Sequence, residues 1–558
     1  MTPMERVQRA AAVNKSREAF TPFIESPSAK HHPAGAREAG KARFESLLDS
    51  PFDLNQPGEI GRLGAETSPY TGKTLGVDYP QCQTDALLDG VRDAWGPWKR
   101  ARAAERVAIC ADILQAWSED VFANTYATMH TAGQAFMLSF AGSGASSLDR
   151  GLEALAAAHS AMADVPETTV FERRFGRGEP VVLHKRYRLV PVGIALVFSC
   201  GSYPAWNAYP AILANLATGN PVVLKPHPDT ILPMAMAVKT ARAVLAKAGF
   251  NPNLLVLACD TWNAPIAEDI LVHPDVAIID FTGGQTYGRH LEQTYAYKQV
   301  YTETAGCNAV VIDSVQDVDA VCRALATGLS LFSAQMCTAP QNLWFSADGV
   351  TTPDGVVSVD AFVSRLISAI DALCTKHGPA VCGALHSART GDDLHAAAAA
   401  GTVLRPSTPY THPDFPNART ATPLLVRVDA DDRAVVQREH FGPIGFVLVA
   451  QDRDDALAKA TSDANHYGAI ASYAYTTDSS WMASVQDAFA DAGASVGINL
   501  VRQAPMNFTA AFSDFHVTGL NPAGTACLTD AAFVTRRFRI VQSKVEQPSP
   551  PEAGEREG

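Results

Sequence analysis

The sequence predicts an α/β fold in which parallel strands are covered by helices and spread over more than one domain. Three observations carry this. The middle of the chain alternates short apolar runs with helical segments. A second alternating block follows it, and 558 residues exceed what one hydrophobic core holds. In the first block, Ile194 to Ser199 reads as a strand, 204–218 as a helix stopped by Gly219 and Asn220, and PVVLKP (221–226) as a short buried strand. A helix from Leu232 to Ala248 ends at Gly249, a residue suited to a left-handed C-cap. NLLVLAC (253–259) and VAIIDF (276–281) have strand length. This βαβαβ rhythm is one that binds nucleotides at strand ends. The second block runs from AVVID (309–313) to about Asn499, and RRFRIVQ (536–542) is the last strand candidate.

Ahead of the strands, residues 80–170 place apolar residues three and four apart, as in TDALLDGVRDAWGPWKRA and ERVAICADILQAWSEDVFA, and read as helices. GSGAS, Gly142 to Ser146, resembles the start of a dinucleotide fingerprint. It lacks the third glycine and follows no strand, so it reads as a plain loop. Residues 1–45 are an N-terminal extension in which Ser26 to Lys41 reads as a mobile linker. Residues 546–558, rich in Pro, Glu and Gly, read as a disordered tail.

Composition excludes several classes. Hydrophobic residues are 47% and charged residues 18%, as in globular proteins, and the net charge of -13 argues against nucleic acid. Arg173, Arg174, Lys185, Arg186 and Arg188 are few and read as a solvated strand face. No apolar run spans a bilayer, and the N-terminus lacks an apolar signal core. Ten cysteines without a CxxC pair argue against a disulfide framework or zinc ribbon. No metal site and a reducing cytoplasm are the expectation.

Four motifs carry chemistry. In SAQMCTAPQ, Cys337 lies between a helical run (317–334) and the strand-like NLWF; backbone N–H groups there would activate a thiolate. In TETAGCN, Glu303 follows the apparent strand KQVYT and, among small residues, could enter a narrow cavity and activate water. In IIDFTGGQTYG, a buried strand runs into Gly283 and Gly284, and a helix starts before Gly288, so a phosphate could approach helix N–H groups. In REHFGPIGF, Glu439 could accept ribose hydroxyl bonds and Phe441 could pack on a nicotinamide. Taken singly, each has a plainer reading: a buried structural cysteine, a surface glutamate, a turn, a core phenylalanine.

In this order the four motifs resemble the aldehyde dehydrogenase superfamily over roughly residues 60–540. PVG…LATGNPVVLKP (Pro191 to Pro226), Asn499 in VGIN, and the 34 positions between Glu303 and Cys337 fit the same pattern. SYPAWNAYPAILANLATGNPVVLKPHP (202–228) resembles, more narrowly, the stand-alone phenylacetic acid degradation (PaaN) type, with too little chain after 540 for the hydratase domain of bifunctional relatives. The resemblance implies a Rossmann-type cofactor domain (46–172 and 192–304), an α/β catalytic domain (305–515) and a small β oligomerisation element (173–191 and 516–545). It implies oxidation of an aldehyde through a Cys337 thioester that Glu303 resolves with water. Ser202 stands where an asparagine usually helps hold the oxyanion. Lys225, with His227 beside it, would hold the cofactor ribose, Gly283, Gly284 and Gly288 would form the phosphate turn, and Glu439 and Phe441 would hold the nicotinamide end. Pro228 occupies the position of the glutamate of NAD-specific members, which favours NADP over NAD. Ala305 replaces a glycine of the usual motif, and Cys307 is given no catalytic part. Tyr203, Trp206, Phe332 and Phe508 could line an apolar aldehyde tunnel. The implied partners are a small aldehyde, a CoA thioester among them, and further copies of the chain as homodimer or homotetramer. Alternatives are a CoA-acylating dehydrogenase, which needs no Glu303, a catalytically silent scaffold, and a cysteine hydrolase, which would want a histidine near Cys337.

Overall fold

The computed structural model describes residues 1–304, 306–502, 511–515 and 529–547. Phe508, Ala305 and nearly all of the proposed tail lie outside the described residues. The first block builds a five-stranded parallel sheet. Its order is Leu255–Leu257, Val222–Lys225, Ile194–Phe198, Val276–Gly283, Gln299–Thr304. The first strand in sequence lies at the centre, so the order reverses beside it, and a crevice opens at the strands' C-terminal ends. Helices cover both faces, which is why Ile194–Phe198 and Val222–Lys225 are buried at every residue rather than alternating. The helix Pro204–Thr218 starts at a proline and ends at Gly219, whose φ of +96° few other residues adopt.

The second block forms a seven-stranded sheet in the order Thr402–Arg405, Leu424–Val428, Ile444–Ala450, Asn342–Ser346, Ala309–Ile312, Ser472–Tyr475, Val496–Ile498. Only the first of these runs antiparallel to its neighbour. The chain is thus an α/β protein with a Rossmann-type domain and a second α/β domain.

A third sheet stands apart. Phe538–Glu546, Pro180–Pro191 and Thr168–Arg174 pair antiparallel, with Phe538 opposite Pro191. The two basic strands therefore pair with each other within one chain. Val170, Ile540, Val541 and Val545 on its outer strands are exposed. The root of this arm is clamped. The fully buried Arg537 guanidinium binds both carboxylate oxygens of Asp280 (2.6 and 2.8 Å) and Asn215 Oδ1 (2.7 Å), and packs on the rings of Phe533 and Tyr301.

Four expectations are corrected. GSGAS is not a loop: Ser139–Ser146 is a π-helical turn that runs into the helix Ser147–Ala163. Its glycines let the turn pack closely, since a Cβ on Gly144 would lie 2.8 Å from Val121 and one on Gly142 would lie 3.1 Å from the Tyr203 ring. The linker read over Ser26 to Lys41 ends in the helix Ala36–Glu45, because Gly40 lets that helix touch Phe122, where a side chain would collide, and Phe44 is buried behind it. His32 in that segment also packs edge-on against Phe122 and Phe140. The helical run 317–334 stops at Ser330. Glu303 belongs to the strand Gln299–Thr304 rather than following it.

Candidate active site

One cavity of about 810 Å³ collects most of the residues singled out in the sequence. Cys337, Glu303, Ser202, Tyr203 and Trp206 line one part; Lys225, His227, Gly283, Gly284, Glu439 and Phe441 line the rest. Gly288 and Phe332 do not line it.

The nucleophile candidate sits on a strained loop. After the helix Val318–Ser330, residues Phe332, Ser333 and Ala334 take left-handed φ of 51°, 50° and 52°, a conformation that costs non-glycine residues of order 1–3 kcal/mol each. Side chains hold it there. Ser333 Oγ donates to the carbonyls of Cys382 (3.2 Å) and Ala421 (3.3 Å), and Gln335 Nε2 to that of Ala384 (3.1 Å). The kink turns the Phe332 ring inward against Leu138 and Met336 and behind Tyr203, at 5.7 Å between ring centres. Phe332 therefore supports the tunnel wall instead of forming it. Asn308 anchors the loop: its Nδ2 donates to the carbonyls of Cys337 (2.7 Å) and Ala339 (3.0 Å), while its Oδ1 accepts from the N–H groups of Ile470 and Ala471.

The Cys337 thiol is not pre-ionised. Desolvation, and then the neighbouring Glu303 carboxylate, hold its pKa well above the usual thiol range. Sequence reasoning had looked for stabilisation of a thiolate, and the adjacent carboxylate works the other way. A second thiol, Cys200, shares the cavity and donates to the Tyr203 carbonyl (3.2 Å). Burial pushes it up to about 11. The Ser202 hydroxyl hydrogen-bonds Cys200, and the Ser202 carbonyl accepts from Gln134 Nε2 (2.7 Å).

At the other end, Lys225 Nζ pairs with Asp260 at 2.7 Å, and both line the cavity. Burial, then His386 and Lys225, lower His227 to about 3, so its ring is neutral at pH 7. Gly284 caps the helix Gln285–Thr294, with nothing within 4 Å of where its side chain would be; this leaves an anion access to the first-turn N–H groups. Gly288 has a packing part: a Cβ there would collide with Thr304, so it seats the helix on the strand that carries Glu303. Desolvation pushes Glu439 up to about 8. On the tunnel side, Ala141 and Gly142 from the π-helical turn, with Leu138 just before it, complete the wall. Sequence reasoning missed Asp260, Cys200, Asn308 and this turn. Each is a lone residue or an irregular segment whose partner lies far along the chain.

The aldehyde dehydrogenase family model matches residues 62–524, and the chain belongs to that family. It is similar over 98% of its length to an NAD-dependent aldehyde dehydrogenase from Burkholderia multivorans, at 38% identity and a TM-score of 0.95, with 98% of that chain covered. It is 26% identical over 426 residues to the NADP(+) succinate-semialdehyde dehydrogenase of Deinococcus radiodurans, covering 72% of this chain and 80% of that protein. A Fusarium aldehyde dehydrogenase is 29% identical over 263 residues, 46% of this chain and 53% of that protein, so the chain spans about half the length of this relative. No described helix is long and apolar enough to cross a membrane.

Proposed function

We propose that the protein oxidises an aldehyde to its acid with NAD(P), through a thioester on Cys337. The observation that carries this is the placement of Cys337 and its neighbour Glu303 in one cavity with a glycine-opened helix start and Lys225. The residues present suit a dinucleotide. Gly284 leaves room for phosphates at the helix start, Gly283 lets the Phe281 ring pack beneath the turn, Lys225 can bond ribose hydroxyls once it leaves Asp260, and Phe441 offers a ring face. Bound NAD(P) supplies a hydride acceptor. The chain's own residues do the rest. Cys337 Sγ bonds to the aldehyde carbon as its proton passes to Glu303, and the Cys337 N–H holds the oxyanion. Ser202 joins in only by giving up its bond to Cys200. After hydride loss a thioester remains. Glu303, its proton returned to solvent, takes a proton from water as the water oxygen bonds the thioester carbon. The C–S bond then breaks and the acid leaves. Glu303 disfavours the acylating alternative, because transfer to a thiol needs no such base. The catalytically silent and hydrolase readings have less support, since the nucleophile and base stand side by side.

The finer reading is a ring-opened semialdehyde of phenylacetate catabolism, as the acyl-CoA thioester. It rests on the 202–228 resemblance, with an apolar wall from Tyr203, Trp206 and Leu138 in support. NADP is the favoured cofactor. Pro228 itself brings no carboxylate, and Arg389, stacked 5.2 Å over Trp262, brings a cation to that rim beside the Asp229 carboxylate, which Trp262 Nε1 bonds at 3.0 Å. Neutral His227 contributes hydrogen bonding rather than charge. Cofactor reduction across a panel of aldehydes, with NAD and NADP in parallel, tests both parts. The expected result is higher kcat/KM with NADP and with large semialdehydes than with acetaldehyde. Absence of reduction with every pair would overturn the proposal, and a strong NAD preference would remove the NADP part.

We further propose a homodimer or homotetramer built on the three-stranded arm. Its outer strands carry Val170, Ile540, Val541 and Val545 to the surface, and an open apolar edge invites pairing. Light scattering at micromolar concentration is expected to give at least twice the 59.4 kDa chain mass. An active monomer would mean that the arm's basic residues act as gatekeepers.

A further inference from the structure

His227, Asp229 and His386 converge at the mouth of the cavity from two halves of the molecule. His227 and Asp229 follow the strand Val222–Lys225 of the Rossmann-type domain, and His386 follows the helix Val359–Val381 of the second domain. One ligand atom from each lies within 4.8 Å of the others. We infer that these three residues form a binding site for a divalent transition-metal ion, zinc by the character of its donors.

His386 gives the clearest sign. Its Nδ1 lies 3.2 Å from the Thr131 carbonyl. A carbonyl only accepts, so Nδ1 carries the hydrogen, and in the neutral ring Nε2 keeps its lone pair. Nε2 is buried with no hydrogen-bond partner. A buried acceptor left unmatched is unusual. An imidazole held by a backbone carbonyl through one nitrogen, with the other bare, is how proteins orient a metal-ligating histidine. Asp229 is oriented in the same way, its Oδ1 accepting from Trp262 Nε1 at 3.0 Å.

Gly201 supplies the room. A Cβ there would collide with His386 Nε2 and lie 3.1 Å from His227 Nδ1, so the missing side chain lets both nitrogens approach the same stretch of backbone. His227 would bind through Nδ1, giving up a 3.2 Å bond from the Asp229 N–H. Two neutral imidazoles and one carboxylate give a site of charge -1 with three protein ligands and an open fourth position, a donor set that suits zinc. Nearby cations weaken it but are occupied: Lys225 is paired with Asp260, Arg419 donates to the His386 carbonyl (2.8 Å), and Arg389 stacks on Trp262. Bonds of about 2 Å to each ligand would draw the three groups inward, and the ion would fasten the two domains together. The sequence showed nothing of this, because His386 stands far from the other two ligands and no spacing motif joins them.

The test uses the full chain carrying Cys337→Ala, which removes one of the two competing thiols that line the cavity. After chelator treatment it is titrated with zinc chloride by calorimetry and with cobalt chloride by visible spectroscopy. The expected result is one ion per chain and a zinc-dependent rise in melting temperature. His386→Gln and His227→Gln should each weaken binding at least ten-fold and abolish that rise. No stoichiometric binding, or unchanged affinity in both variants, would overturn the site. So would a sulfur-to-cobalt charge-transfer band, which would place the ion on a cysteine. If one histidine variant fails to fold, the other decides.

Discussion

Cys337→Ala is expected to lose aldehyde oxidation by on the order of 10⁴-fold or more while still binding cofactor, because the covalent route disappears and the dinucleotide contacts remain. The thiol lines the cavity beside Glu303, and Asn308 pins the Cys337 carbonyl. Alanine removes only the sulfur, so the Asn308 bonds and the left-handed kink before them should persist. Steady-state reduction of NAD(P) gives the rate, and quenching of tryptophan fluorescence by cofactor gives the binding. Turnover near that of the unmodified protein would remove Cys337 as the nucleophile. Loss of both activity and cofactor binding would point to a collapsed loop instead, and Cys337→Ser, nearly isosteric, would separate the two outcomes.

Glu303→Gln should split the reaction in time. If Glu303 activates water for deacylation, a stopped-flow trace shows a burst of reduced cofactor close to one per site. The steady rate that follows falls by roughly 10²–10⁴-fold, the usual worth of a general base. Equal loss of burst and steady rate would show that Glu303 acts earlier, on the thiol. Alkylation without cofactor reports on that earlier step. Desolvation and the Glu303 anion both disfavour the thiolate, so iodoacetamide should react slowly near neutrality and faster as pH rises. Removing the anion lowers the thiol's pKa, so the profile of Glu303→Gln should move to lower pH. A profile that stays in place would mean desolvation alone sets the thiol's reactivity.

The frame of the molecule was legible because it rests on local rules. Gly219 and Gly249 end helices where the apolar period breaks, and Ile194–Phe198 is a continuous apolar run because helices cover both of its faces. The arm strands were legible for a similar reason, as alternating basic and apolar residues, but not that they would pair with each other. Other features were set by contacts remote in sequence. Phe332 reads as a tunnel residue until three left-handed residues turn it inward. Asn308 looks like an ordinary turn asparagine, yet its Oδ1 receives N–H groups from residues 470 and 471 across the sheet. The ionisation of Cys337 depends on which side Glu303 approaches from, and a 34-residue spacing carries no direction.

The clamp between Arg537 and Asp280 bears on how the chain is made. Asp280 leaves the ribosome 257 residues before the side chain that neutralises it. Until then the strand Val276–Gly283 holds a buried carboxylate with Asn215 as its remaining side-chain donor. A buried ion pair stripped of one partner costs about 3–5 kcal/mol. Vectorial synthesis therefore leaves the Rossmann-type domain without its full stability until Arg537 has been added. A stop codon just ahead of Arg537 would spare every residue of the cavity described here and still release a chain prone to degradation.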